Sequence, residues 1–301
     1  MNEIPPSTSA VAFLGLGVMG NPMAGHLHAR GHAVTVYNRT AEKAQHWASG
    51  HPGGQWVRTP REAAQSARVV FLCVGNDNDL RSIVYGPEGV LAGLQPGAVL
   101  VDHTTASAEV AREFARACSA QGAHFIDAPV SGGQVGAEKG QLTIMCGGDA
   151  AVFSQVAPIM QAYGKAVTLM GDSGAGQLTK MVNQICIAGT LQGLSEALNF
   201  AQRAGLDAPL VLDVISKGAA QSWQMENRGQ TMVEDRFDFG FAVDWMRKDL
   251  GLVLAEAKSN GALLPLTALV DQFYAEVQGM GGGRWDTSSL IRRFRKRDDT
   301  H

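Results

Sequence analysis

Four polar side chains that could do chemistry stand in the stretch Gly174-Ala175-Gly176-Gln177-Leu178-Thr179-Lys180-Met181-Val182-Asn183-Gln184, which opens a long and otherwise apolar segment. The spacing of Gln177, Lys180, Asn183 and Gln184 projects them to one side of a helix. A desolvated lysine charge costs on the order of several kcal/mol, so a lysine on such a face is either paired or kept for a purpose. The purpose would be proton transfer. Burial and the positive end of a helix starting near Gly174 both disfavour the ammonium form. The amine could then take a hydroxyl proton in an oxidation and return one to a carbonyl in a reduction. Gln177, Asn183 and Gln184 are candidates to hold that amine or the substrate oxygen. A lysine that snorkels from the helix or closes an ion pair is the plain structural reading.

Two other stretches supply partners for such chemistry. Val11 to Leu14 reads as a strand, Gly15-Leu16-Gly17-Val18-Met19-Gly20 as a turn, and Asn21-Pro22-Met23 as the start of a helix ending near Arg30-Gly31. Strand, Gly-x-Gly-x-x-Gly and helix together are expected to hold a dinucleotide. The glycines admit a pyrophosphate close to the backbone, and the helix N-terminus supplies donors and a positive dipole end. After the second strand, His32 to Tyr37, comes Asn38-Arg39-Thr40, with no acid before Glu42. Asn38 can bond the ribose and Arg39 a 2′-phosphate, which favours NADP(H) over NAD(H); an arginine merely exposed at a strand end is the alternative. In Asp127-Ala128-Pro129-Val130-Ser131-Gly132-Gly133, a serine hydroxyl and glycine N–H groups suit a carboxylate, though an ordinary glycine loop fits as well.

Further apolar runs at Val69 to Val74, Ala98 to Asp102, His124 to Ala128, Leu142 to Cys146 and Ala166 to Met170 read as strands of one open sheet. A helix over Ser107 to Ala120 carries Val110, Phe114 and Ala117 on one face. From Gly174 the strand pattern stops. Helices are expected over Gly174 to Ala204, Ala208 to Ser216, Trp223 to Met232, Ala242 to Ser259 and Pro265 to Gln278. The expected fold class is α/β: an N-terminal Rossmann-type doubly wound sheet, residues 1–173, followed by an all-α domain, residues 174–301, for substrate binding and oligomerisation. Gly279 to Gly283 is expected to be a mobile loop, and Arg292 to Asp299 a solvated tail.

The totals narrow the partners. In 301 residues there are 25 basic and 28 acidic side chains, a net charge of −3 (25 − 28). No polycationic half seeks nucleic acid or anionic lipid, so small solutes are the expected ligands. Charged residues make up 18%, below the usual share of roughly 25%, which points to surface hidden in a homodimer or homotetramer. Cys73, Cys118, Cys146 and Cys186 lie far apart in apolar settings, which fits small core residues and a cytoplasmic location. Met1 to Ala10 does not read as a secretory signal. Met181 to Ala201 is too often interrupted by polar residues for a membrane span. Among the imidazoles His26, His28, His32, His46, His51, His103 and His124, His28 and His32 are four apart with Gly31 between them, and no third ligand is spaced to help. No metal is expected.

Gly15 to Gly20, Asp127 to Gly133 and Gly174-x-Gly176-x-x-x-Lys180-x-x-Asn183, in that order and at these distances, resemble the β-hydroxyacid dehydrogenases. Val11 to Arg293 is covered. The resemblance implies that Lys180 is the catalytic acid/base and that Ser131, Gly132 and Gly133 hold the substrate carboxylate. It also implies that Thr105 lies beside the nicotinamide and that Lys248 reaches the cofactor or substrate. Without the resemblance, Arg247-Lys248-Asp249 would be a solvated trio. Gln184 stands where many members have a second asparagine, a pattern similar to the tartronate semialdehyde (2-hydroxy-3-oxopropionate) reductases. Trp223 falls among substrate-pocket positions, where its bulk favours a short substrate, or else it anchors helix packing. The expected activity is hydride transfer between NADP(H) and a small β-hydroxy acid/semialdehyde pair, such as 2-hydroxy-3-oxopropionate or succinic semialdehyde. NAD-dependent oxidation of 3-hydroxyisobutyrate or serine is the alternative. A non-catalytic cofactor-binding module is disfavoured because Lys180 is present.

Overall fold

The computed structural model describes residues 9–295. Met1 to Thr8 and Lys296 to Asp299, parts of the two terminal stretches read above, lie outside the described residues. The chain forms two compact units that divide between Lys180 and Met181.

The first unit is built on β1 (Ala10–Leu14), β2 (Ala33–Tyr37), β3 (Gln55–Trp56), β4 (Val69–Leu72), β5 (Val99–Asp102), β6 (His124–Asp127), β7 (Val130–Ser131), β8 (Leu142–Gly148) and β9 (Gly164–Gly171). Strands β3-β2-β1-β4-β5-β6 lie in that order and are all parallel. Strand β8 joins β6 and β7 antiparallel, and β9 joins β8 parallel. The order reverses between β1 and β4, where ligands of doubly wound sheets bind. Alternate residues of β1 feed two cores. Val11 and Phe13 pack into one, Ala12 and Leu14 into the other, so the sheet is covered on both faces, as parallel sheets require.

The helices of this unit are α1 (Gly20–Ala29), α2 (Ala41–Gly50), α3 (Pro60–Gln65), α4 (Asp77–Val84), α5 (Val90–Gly93), α6 (Ala108–Ser119), α7 (Gly133–Glu138) and α8 (Ala150–Met160). Several start on polar caps. Asn76 Oδ1 accepts from the N–H groups of Asn78 and Asp79, and Ser107 Oγ from that of Val110. Helix α1 begins at Gly20, earlier than Pro22 suggests. As the third helical residue, proline still gives up only an N–H that has no intrahelical partner. The two-residue strands β3 and β7 are too short to show a periodicity in sequence.

Helix α9 (Ala175–Arg203) runs from the first unit into the second, which continues with α10 (Ala208–Ile215), α11 (Trp223–Val233), α12 (Val243–Asn260) and α13 (Pro265–Gly279). Ala188, Leu191, Met246, Leu250, Val270 and Tyr274 share one core of the second unit. Three expectations fail. In its described part the stretch from Arg292 is not a solvated tail: Thr287–Phe294 is a 3₁₀ helix, and Arg292 pairs with Asp235 and Arg293 with Glu276. Gly279 to Gly283 is not a mobile loop: Gly282–Arg284 is a 3₁₀ turn, and Gly282 is buried where a Cβ would run into the Trp285 ring. Nor are all four cysteines core residues, because Cys186 is exposed and Cys73 only half-buried. No helix among the described residues is long and apolar enough to cross a membrane.

Candidate active site

The glycine turn is shaped by close packing on one side and open space on the other. Gly15 has φ +98°, and a Cβ there would strike the carbonyl of Cys73. Gly20 lies against the Gly15 carbonyl and the Phe13 ring. Around Gly17, by contrast, an added Cβ would meet nothing within 4 Å. Leu16 is buried and Val18 exposed. Met19 caps α1 without a side-chain hydrogen bond, and the first turn of α1 carries no acid. An open backbone before an uncapped positive helix end fits the pyrophosphate of a dinucleotide.

At the end of β2 the Asn38 amide braces the turn. Its Oδ1 accepts from the Leu16 N–H at 2.9 Å, and its Nδ2 donates to the Thr40 carbonyl at 3.0 Å. One amide hydrogen and one lone pair remain for a ribose. Thr40 caps α2 without using its hydroxyl. Arg39 is largely exposed and ion-paired to Asp79 at 3.3 Å.

The ends of β5 and β6 meet the start of α9. Asp127 Oδ1 accepts from the Gly174 N–H at 2.7 Å, and Oδ2 from the Gln177 N–H at 2.9 Å. Burial pushes this carboxyl up to about 6, against the lowering effect of those N–H donors. Gln177, fully buried, donates through Nε2 to the Thr104 carbonyl at 2.7 Å and accepts through Oε1 from the Ala106 N–H at 3.0 Å. Its amide is therefore engaged with the loop that carries Thr105. Lys180, one turn further along α9, is 7% exposed. Ser131 ends β7, and Gly132 and Gly133 follow at φ +131° and +62°, both exposed. Asp102, in register with Asp127, is fully buried with one carboxylate oxygen unpartnered, and burial pushes it up to about 7. Burial drives His103 down to about 4; its ring nitrogens meet the Ala128 carbonyl and the Tyr163 hydroxyl.

The second unit holds its own polar chain. Asn183 Nδ2 donates to Gln184 Oε1 at 2.8 Å, and Gln184 Nε2 donates to Asp249 Oδ2 at 2.7 Å. Lys248 Nζ lies 3.0 Å from Asp249 Oδ1; that oxygen has no aligned hydrogen bond, so the contact is an ion pair. Asp249 is 2% exposed, which corrects the reading of Arg247-Lys248-Asp249 as a solvated face. The signal was present in the sequence, because Asp249 falls on the stripe of Met246, Leu250 and Val253. Trp223, at the start of α11, is 51% exposed, with the Arg228 guanidinium 5.0 Å from its ring centroid. Arg228 also pairs with buried Asp286, so the indole forms an outer layer and not a packing anchor. No group of three metal-ligating side chains occurs among the described residues.

A profile of the NAD binding domain of 6-phosphogluconate dehydrogenase matches residues 10–171. One described as NAD-binding of NADP-dependent 3-hydroxyisobutyrate dehydrogenase matches residues 174–294. The chain belongs to the β-hydroxyacid dehydrogenase family. Among members of this family, it is 62% identical to an uncharacterized oxidoreductase of Shewanella frigidimarina, over 95% of this chain and 98% of the relative. It is 35% identical to the 2-hydroxy-3-oxopropionate reductase of Escherichia coli, over 93% and 95%. The structure of Mycobacterium tuberculosis 3-hydroxyisobutyrate dehydrogenase with L-serine superposes with a TM-score of 0.87 at 30% identity, covering 96% of this chain and all of that one. As a β-hydroxyacid dehydrogenase the protein is an NAD(P)-dependent oxidoreductase that acts on a CH–OH group.

Proposed function

We propose that this β-hydroxyacid dehydrogenase reduces a small semialdehyde carboxylate, of the 2-hydroxy-3-oxopropionate or succinic semialdehyde kind, with NADPH. The observation that carries the reading is Lys180, 7% exposed on the helix whose first turn is held by Asp127 and Gln177. A bound NADPH supplies the hydride. The turn Gly15, Leu16, Gly17, Val18, Met19 and Gly20 receives its pyrophosphate, Asn38, Arg39 and Thr40 its adenosine ribose and 2′-phosphate, and Thr105 flanks its nicotinamide. Ser131, Gly132 and Gly133 hold the substrate carboxylate. As the carbonyl carbon gains hydride, Lys180 gives a proton to the oxygen, and in the reverse direction it takes that proton from the hydroxyl. Asn183 and Gln184 orient the reacting oxygen, Lys248 reaches the bound ligands, and Trp223 limits substrate length.

Support for NADPH is the exposed Arg39 at the end of β2 with no acid before Glu42. The similarity to the Escherichia coli reductase supports the substrate class. A homodimer or homotetramer is supported by exposed Phe200, Leu206, Leu210 and Val214 on α9, α10 and the turn between them, apolar side chains of the kind that mark interaction surfaces. The test follows NADPH and NADH oxidation against glyoxylate, succinic, tartronate and methylmalonate semialdehydes, and the reverse reactions with the hydroxy acids, serine included. Preference for NADH and 3-hydroxyisobutyrate or serine would replace this reading with the alternative one. Lys180→Ala is expected to keep NADPH affinity and lose roughly 10²–10⁴-fold in turnover; near-normal turnover would remove Lys180 from the chemistry.

A further inference from the structure

Arg39 is not alone at the end of β2. Its Nη1 donates to Asp79 Oδ1 at 3.3 Å, and the two side chains differ sharply in exposure, 87% for Arg39 and 33% for Asp79. Asp79 stands on a fixed platform. Its N–H donates to Asn76 Oδ1 at 3.0 Å, and its Oδ2 accepts from Asn76 Nδ2 at 3.3 Å. The helix that carries it, α4, is clasped to the head of α6 through Asp77, whose carboxylate accepts from Ser107 N at 3.0 Å and Ser107 Oγ at 2.6 Å. The anion is thus stationary, while the cation is the tip of a long flexible stem. The acid that an NAD enzyme carries at the end of its second strand is missing from Asn38-Arg39-Thr40. The fold returns a carboxylate to the guanidinium there from beyond β4.

A guanidinium has five N–H donors, so Arg39 has bonds to give to a 2′-phosphate without releasing Asp79. What the arrangement limits is charge. A phosphate monoester brought to Arg39 comes close to a second anion, whereas NAD(H) brings only a hydroxyl. We propose that Asp79 is a specificity-determining residue that opposes the 2′-phosphate at Arg39 and so holds NADP(H) affinity below what the guanidinium alone would give. The proposal rests on the reading of Arg39 as the 2′-phosphate ligand.

The experiment is fluorescence titration of the full chain with NADPH and with NADH. It compares the parent, Asp79→Asn, Arg39→Ala and the double variant at low and high ionic strength. Asp79→Asn is expected to tighten NADPH about three- to ten-fold at low salt, the size of repulsion between surface anions several ångströms apart. The gain shrinks in high salt, leaves NADH unchanged and persists in the Arg39→Ala background, since the repulsion is between carboxylate and phosphate. A gain in affinity cannot come from misfolding. If NADPH binds the Asp79→Asn protein no more tightly than the parent, the proposal is overturned. If NADH weakens instead, Asp79 is itself a ribose ligand and the proposal is equally overturned. Failure of the underlying reading shows separately, as Arg39→Ala binding NADPH as the parent does.

Discussion

Gln177 and Gln184 stand two turns apart on α9, both buried, and their amides meet different kinds of partner. Gln177 reaches backbone, the Thr104 carbonyl and the Ala106 N–H. Gln184 meets side chains, Asn183, Asp249 and the Met246 sulfur, and beyond Asp249 lies Lys248. The buried acids differ in the same way. Asp127 is held by the N–H groups of Gly174 and Gln177, Asp249 by a side-chain amide and an ammonium. The stripe that looks continuous in sequence is therefore two devices. One clasps a loop and a helix start, and the other links side chains that can reorient.

The contrast can be broken first at Gln177. Gln177→Leu leaves a carbonyl and an N–H buried without partners, at about 1–3 kcal/mol each. Urea denaturation should show a loss of roughly 2–6 kcal/mol. A loss below about 0.5 kcal/mol, the range of a neutral surface change, would mean that the clasp does not hold the loop.

Gln184→Leu should act mainly on turnover. Asn183 loses its brace, and kcat is expected to fall about ten-fold or more while NADPH affinity stays, in line with an interaction made mainly in the transition state. Unchanged kcat with lowered stability would make the second device structural like the first.

A pH-dependent effect sharpens the comparison of the acids. Asp102 and Asp127 titrate at about 7 and about 6 when folded, against about 4 in an unfolded chain. The folded state therefore binds more protons between pH 4 and 7. The stabilisation this brings is complete below about pH 4 and lost as pH rises to 7, at up to ~1.4 kcal/mol per pH unit for one group. Asp102→Asn should flatten that decline, as read from denaturation midpoints at pH 5 and pH 8. A decline as steep as the parent's would show that Asp102 is not the group responsible.

Much of the first unit was legible because its signals are local. Strand, glycine turn and helix lie within Val11 to Gly31, and apolar runs mark β4, β5, β6, β8 and β9. The 3₁₀ turn at Gly282–Arg284 was not, since glycines that read as a flexible loop are selected there by the Trp285 ring and by the Asp244 carboxylate against Gly283. Asp249 was readable from its stripe but looked solvated beside Arg247 and Lys248. Asp79 carried no signal, because nothing within α4 says that Arg39, forty residues earlier, comes to it.

What the residues determined by themselves was the family, the α/β-then-helical order and the lysine on α9, because these depend on periodicity and on spacing within one segment. Only the tertiary structure decided which polar groups are already engaged. A hydrogen bond joins partners far apart in the chain, 73 residues for Gln177 and Thr104, and an amide's type does not say whether backbone or side chain will meet it.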